Sequence, residues 1–126
     1  MPFSEFERRA AFFLLCVPAR CAVAVLFLLA PRYGLDALLR TLGAYALFTA
    51  ANFAYYAVLT ARGEYTTGGT GGEVWWAKLR YLHIALWSTA GVAALLGQAW
   101  AGWVLFTDVA IGFLGGVARY STGVRL

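Results

Sequence analysis

The sequence has very little of the charge that a water-soluble domain needs. Charged residues make up only 13% of its 126 positions, whereas hydrophobic residues make up 62%. Soluble globular domains carry about 25% charged and 45–50% apolar residues, so this composition excludes that class. The sequence therefore predicts an integral membrane protein that forms a single domain, with room for about four spans of ~20 residues each.

Residues that support metal, disulfide or cofactor chemistry are also scarce. The chain has one histidine and two cysteines, Cys16 and Cys21, which a helix would hold about 140° apart. It has no Cys/His spacing typical of a metal site, no phosphate-binding loop, no nucleophile elbow and no carboxylate pair. We therefore expect no catalytic residues, no metal and no cofactor.

The formal net charge is +4, and we interpret the distribution of the basic residues as a signal of membrane topology. The basic residues are scattered at the ends of apolar segments, which argues against nucleic-acid binding. With four spans, one side of the membrane carries more basic residues than the opposite side, which has only Arg32 and Arg40. The positive-inside rule then predicts that both termini lie on the cytoplasmic-type side. The richer side holds Arg8, Arg9, Arg62, Lys78, Arg119 and Arg125.

The apolar runs predict four transmembrane helices, at residues 10–30, 37–61, 75–97 and 99–118. We therefore expect an all-α integral membrane four-helix bundle. The N-terminal run resembles a signal peptide, but its length and the residues Pro18 and Arg20 favour a retained membrane helix. Tryptophans near the predicted interfaces suit an aromatic belt, and we interpret them as interface anchors. They are Trp75, Trp76, Trp100 and Trp103.

Polar residues at one depth are the main feature of the predicted spans. Arg20 and Asp108 each lie about ten residues from the inner end of their spans, at the same level by a rise of ~1.5 Å per residue. An unpaired charge at that depth costs at least ~2.5–3.5 kcal/mol, and Asp108 is the one acid available there. We expect Asp108 to accept hydrogen bonds from Arg20, with Arg80 or His83 as a second donor. The predicted cluster comprises Arg20, Asn52, Arg80, His83 and Asp108.

The sequence also predicts how the helices approach one another. Pro18 lies within the first span and is expected to bend it, which would aim Arg20 inward. In the last span Gly112 and Gly116 have the GxxxG spacing of close helix contacts, with Gly115 beside them. That contact is either internal or with another subunit, and internal packing is the simpler interpretation.

Three short motifs carry a resemblance to a known group. The stretches "CVPAR", "WWAKLRYLH" and "FTDVAIG" lie in the first, third and fourth spans. Together they resemble a pattern in short, uncharacterised membrane proteins encoded by large DNA viruses of algae and by some protists. The resemblance implies a small four-helix membrane protein whose polar positions match four residues here, and it implies no established activity. These residues are Arg20, Arg80, His83 and Asp108.

Two functions fit these features. The first is a non-enzymatic structural or accessory component of a membrane assembly, in which the Arg–Asp–His layer holds the helices in register. The alternative is a small oligomeric ion or proton channel that uses His83 and Asp108. A lipid-modifying enzyme has only the interfacial tryptophans and the cationic face in its favour. The expected partners are the lipid bilayer and either copies of the chain itself or other membrane subunits.

Overall fold

The computed structural model describes residues 4–63 and 78–122, and these ranges are helical apart from short turns. The all-α prediction is confirmed for them. The helices are α1 (Glu5–Arg32), α2 (Asp36–Ala61), α3 (Leu79–Leu95) and α4 (Ala101–Thr122). Helices α1, α2 and α4 are long and apolar enough to cross a membrane, which supports the predicted membrane protein. Helix α3 has 17 residues, and the predicted span 75–97 begins outside the described ranges.

Helix α1 begins earlier than the apolar run because a capping box closes its N-terminus. The Ser4 hydroxyl accepts a hydrogen bond from the Glu7 backbone N–H at 3.2 Å, and the Glu7 carboxylate accepts one from the Ser4 backbone N–H at 2.7 Å. These contacts satisfy two N–H groups that have no partner within the helix. At the other end, Gly34 adopts a positive φ of 66°, which a residue with a side chain rarely tolerates, and turns the chain towards α2.

Pro18 disturbs α1 through a π-helical turn just before it. Proline has no N–H, and its ring clashes with the carbonyl four residues earlier in a regular α-helix. The segment Phe12–Cys16 is π-helical, and the Val17 N–H bonds to the Phe12 carbonyl five residues back. Regular α-helix then resumes at Val17 and continues to Arg32. The extra residue in the wider turn therefore accommodates the proline within one continuous helix.

Small residues set the closest helix contact, between α2 and α3. Gly43 and Gly91 face each other, and a Cβ on either one would lie 2.9 Å from the backbone carbonyl oxygen of the other. Helix α4 packs against both α3 and α1, while α1 and α2 make the smallest interface of the four. The common core is rich in alanine, with Phe27, Leu39 and Leu105 as its largest fully buried apolar side chains.

Many large apolar side chains lie on the outer surface. Large side chains such as Leu14 and Phe48 are more than two-thirds exposed. Only 11% of the most apolar window of α1 is buried inside the molecule. Exposed apolar surface of this extent is typical of a protein whose outer face contacts lipid.

Candidate functional site

A single carboxylate, Asp108 on α4, lies at the centre of the candidate site and is completely buried. Its Oδ1 contacts Nδ1 of His83, and its Oδ2 accepts a hydrogen bond from Nε1 of Trp87 at 3.0 Å. Nη1 of Arg20 lies 3.5 Å from the same Oδ2. Asp108 therefore connects α4 to α3 through His83 and Trp87, and to α1 through Arg20.

His83 is held from two sides. The contact joins Nδ1 of the imidazole to Oδ1 of Asp108. The ring is tilted against Phe53 of α2, with 6.0 Å between the ring centroids, and the residue is 5% exposed. The histidine therefore has a fixed orientation that presents Nδ1 to the carboxylate.

Arg20 completes the cluster from α1 and is its most accessible member. The side chain keeps 29% of its surface exposed, against 0% for Asp108. Its guanidinium carbon lies 5.7 Å from the centroid of the Phe53 ring, which is within the range of a cation–π contact. Arg20 thus contacts α4 through the carboxylate and α2 through the aromatic ring.

Gly112 has no side chain, and the side chains of Arg20 and His83 lie next to it. A Cβ at this position would lie 3.5 Å from Nη1 of Arg20 and 3.7 Å from Cε1 of His83. Gly116, one turn further on, has a different neighbour, since its Cβ would come within 2.2 Å of the Phe12 ring on α1. Gly112, Gly115 and Gly116 are all buried. Gly112 and Gly116 therefore face α1 within the same chain, as in the internal interpretation of the GxxxG spacing.

Arg80 is buried, but it makes its contact one turn away from the carboxylate. It is 4% exposed, and its Nη1 donates to the Thr60 hydroxyl on α2 at 2.8 Å. The Thr60 hydroxyl in turn donates to the Tyr56 carbonyl at 2.8 Å. Arg80 precedes His83 by three residues, about 4.5 Å along the helix axis, so its guanidinium reaches the C-terminal end of α2. Of the two candidates for the second donor to Asp108, His83 makes the contact, whereas Arg80 donates to Thr60.

Asn52 does not belong to the buried cluster, and this part of the prediction is wrong. The residue is exposed on the outer surface of α2. The position of a residue in the span gives its depth in the membrane. The direction in which its side chain points depends instead on the helical rotation of about 100° per residue. The neighbouring Phe53 takes the inward position and contacts Arg20 and His83 instead.

The predicted interface anchors are only partly described. Trp100 and Trp103 are 48% and 63% exposed at the start of α4. Such exposure leaves both rings free to contact lipid, as interface anchors require. Trp75 and Trp76 lie outside the described residues.

Two side-chain hydrogen bonds were not predicted from the sequence, that from Trp87 to Asp108 and that from Arg80 to Thr60. Trp87 follows His83 by four residues, which places both on one face of α3. A buried indole N–H needs a hydrogen-bond acceptor, and this requirement could have identified Trp87 as a hydrogen-bond donor to Asp108. Thr60 carried no comparable signal, because most threonines in these helices bond only to the carbonyl four residues earlier, as Thr41 and Thr49 do.

The buried polar groups of the described residues satisfy one another by hydrogen bonds. Within residues 4–63 and 78–122 every buried side-chain nitrogen or oxygen has a hydrogen-bond partner. In the same ranges no three His, Cys, Asp or Glu side chains are grouped as metal ligands would be. The cluster can hold helices together, and the direct contact between His83 and Asp108 would also allow a proton to pass between them.

Comparison with known proteins adds no relative. No protein-family model matches the chain, and neither a curated protein nor a solved structure is similar to it.

Proposed function

We propose that the chain is a non-enzymatic, four-span integral membrane protein that serves as a structural or accessory component of a membrane assembly. Both termini would lie on the cytoplasmic-type side. The four helices would form a bundle whose register is held by the cluster around Asp108. The observation that carries this proposal is the complete burial of that carboxylate among donors supplied by two other helices.

The energetics favour a structural role for such a cluster. A charged group inside a bilayer is expensive unless it finds a partner. Here the partners come from α1 and α3, so the favourable contacts exist only when these helices take one rotation and one height relative to α4. Buried polar groups that act in this way contribute to the choice of a single packing arrangement more than to net stability.

The short connections between helices within the described ranges support an accessory role. Between Ser4 and Gly63, and between Lys78 and Thr122, the connections comprise only a few residues. This leaves little soluble surface there on which a substrate site could be built. The virion membrane of an algal virus is one location that fits the resemblance of the three motifs.

A proton-conducting function is the second candidate, and one observation favours it. The titratable residues His83 and Asp108 are in direct contact, and Asp108 lies 3.5 Å from Nη1 of Arg20, whose side chain is 29% accessible. The pair itself is 5% and 0% exposed, which favours the structural role over conduction.

Reconstitution into liposomes that contain a pH-sensitive dye separates the two candidates. The structural proposal predicts that folded wild-type protein gives the same proton flux as empty liposomes under an imposed potassium diffusion potential. Flux that is present in the wild type and lost in both His83→Ala and Asp108→Asn would overturn the structural proposal in favour of a channel. Thr89→Val is a matched control, because it removes an exposed hydroxyl on the same helix that bonds only to the Ala85 carbonyl.

A further inference from the structure

A cleft separate from the Asp108 cluster lies between the N-terminal end of α1 and the C-terminal end of α4. The two ends are joined by aromatic contacts, with 6.3 Å between the ring centroids of Phe12 and Tyr120. The cleft has a volume of about 510 Å³. Its apolar walls include Phe6, Phe13 and Val117, and its polar edge includes Arg9, Tyr120 and Ser121.

The polar edge of the cleft carries positive charge that is only partly neutralised. Nη2 of Arg9 lies 2.6 Å from Oε1 of Glu5, and the guanidinium carbon is 5.1 Å from the centroid of the Tyr120 ring. The Arg9 side chain is still 45% accessible. A guanidinium has five N–H donors and this one is partly accessible, so a second anion can approach Arg9 in competition with Glu5. Among the described residues these two helix ends hold three basic side chains, those of Arg8, Arg9 and Arg119, and two acidic ones, those of Glu5 and Glu7, so positive charge is in slight excess.

On α1 the lining residues that follow Arg9, which are Ala10, Phe13 and Leu14, are all apolar. Leu14, another lining residue, follows Arg9 by five residues, about 7.5 Å further along the helix. Its side chain is 71% exposed and lies within the most apolar part of the chain. A ligand that contacts both residues needs an anionic group joined to a hydrocarbon chain. This requirement excludes small soluble anions and fits a membrane phospholipid.

We propose that this cleft binds an anionic phospholipid, with the phosphate on Arg9 and one acyl chain along Phe13 and Leu14. Basic pockets between membrane helices on the positively charged side of a protein are suited to such head groups. Glu5 competes with the phosphate for Arg9, so its carboxylate weakens binding. The inference concerns a lipid site at the membrane surface and is independent of the structural role of the Asp108 cluster.

Native mass spectrometry of the full chain in detergent, with added dioleoyl phosphatidylglycerol, tests the proposal. Arg9→Gln should lower the occupancy of the first lipid adduct about fivefold, the effect of one basic residue near a membrane surface. Arg40→Gln is the matched control, because it removes the same charge from an exposed position on α2, away from the cleft. Ser121→Trp should lower the occupancy as well, since the indole would fill the cleft without altering the Arg9–Glu5 pair.

Glu5→Gln distinguishes lipid binding from a merely structural ion pair. It leaves Arg9 without its competing carboxylate, so phosphatidylglycerol occupancy should stay equal or rise. A fall matching that of Arg9→Gln would overturn the proposal, as would equal losses in Arg9→Gln and Arg40→Gln. Displacement of the lipid by inorganic phosphate alone would identify a site for soluble anions, and equal retention of dioleoyl phosphatidylcholine would show that charge is not recognised. Both results would contradict the proposal.

Discussion

His83 and Asp108, 25 residues apart in the chain, are in direct side-chain contact across the interface of α3 and α4. Trp87, one turn further along α3, donates a hydrogen bond to the same carboxylate, so two residues on the inward face of α3 contact Asp108. The carboxylate is thus held from α3 by two donors and from α1 by an arginine at longer distance. This asymmetry indicates that α3 holds the carboxylate more firmly than α1 does.

Removing the carboxylate should have the largest effect on stability. Asp108→Ala leaves Arg20 and His83 without their shared acceptor, and breaking a buried ion pair in this way costs about 3–5 kcal/mol. Unfolding by denaturant titration in mixed micelles measures the loss. Asp36→Ala is the control, because it removes the same charge from an exposed position in the first turn of α2. Equal free energies of unfolding for Asp108→Ala and the wild type would contradict the proposed role of the cluster.

Trp87→Phe tests the indole donor without removing the aromatic core contact. The variant loses the N–H bond to Oδ2, and a hydrogen bond to a charged group contributes about 1.5–3 kcal/mol. The same unfolding titration should show a loss of that size. Trp103→Phe removes an indole N–H from a ring that is 63% exposed, so it should leave the free energy of unfolding nearly unchanged. Similar losses in the two variants would mean that the bond to Asp108 is not the cause.

Thr60→Val tests the second buried arginine. The substitution keeps the side-chain shape but removes the acceptor that Arg80 uses on α2. We expect a loss of about 1.5–3 kcal/mol, measured as above, because a hydrogen bond to a buried charge is broken. Thr41→Val is a matched control, since its hydroxyl also bonds to the carbonyl four residues earlier but has an exposed position. A loss for Thr41→Val as large as that for Thr60→Val would remove the assigned role of Arg80.

Counting residues from the span ends was enough to bring Arg20, His83 and Asp108 to one level, because depth grows by a constant rise per residue. It was not enough for Asn52, whose direction depends on the rotation of α2. That rotation is set by which face holds the small residues, here Gly43, Ala46 and Ala50. Composition and length alone predicted the all-α fold. Which helices are neighbours could not be predicted from one sequence, because several pairings bury similar apolar surface.

The glycines offer the sharpest test of how the helices pack, because alanine at each would meet different atoms. In a helix interior, Gly→Ala is favourable by about 0.5–1 kcal/mol when space allows. At Gly112 the new Cβ would make ordinary contacts at 3.5 and 3.7 Å, so Gly112→Ala should be neutral or slightly stabilising. At Gly43 it would lie 2.9 Å from a backbone oxygen and 3.1 Å from a backbone nitrogen of α3, which cannot rotate away.

Gly43→Ala should therefore force α2 and α3 apart and cost about 1–3 kcal/mol, the usual penalty of overpacking. The free energies of unfolding in mixed micelles should rank Gly112→Ala above Gly43→Ala. Ala44→Gly, at an exposed position next to Gly43, calibrates the intrinsic helix preference in the same membrane mimetic. The reverse ranking would show that α2 does not approach α3 as closely as the Gly43–Gly91 crossing requires, and the positions of Phe53 and Thr60 beside the two arginines would then have to change with it.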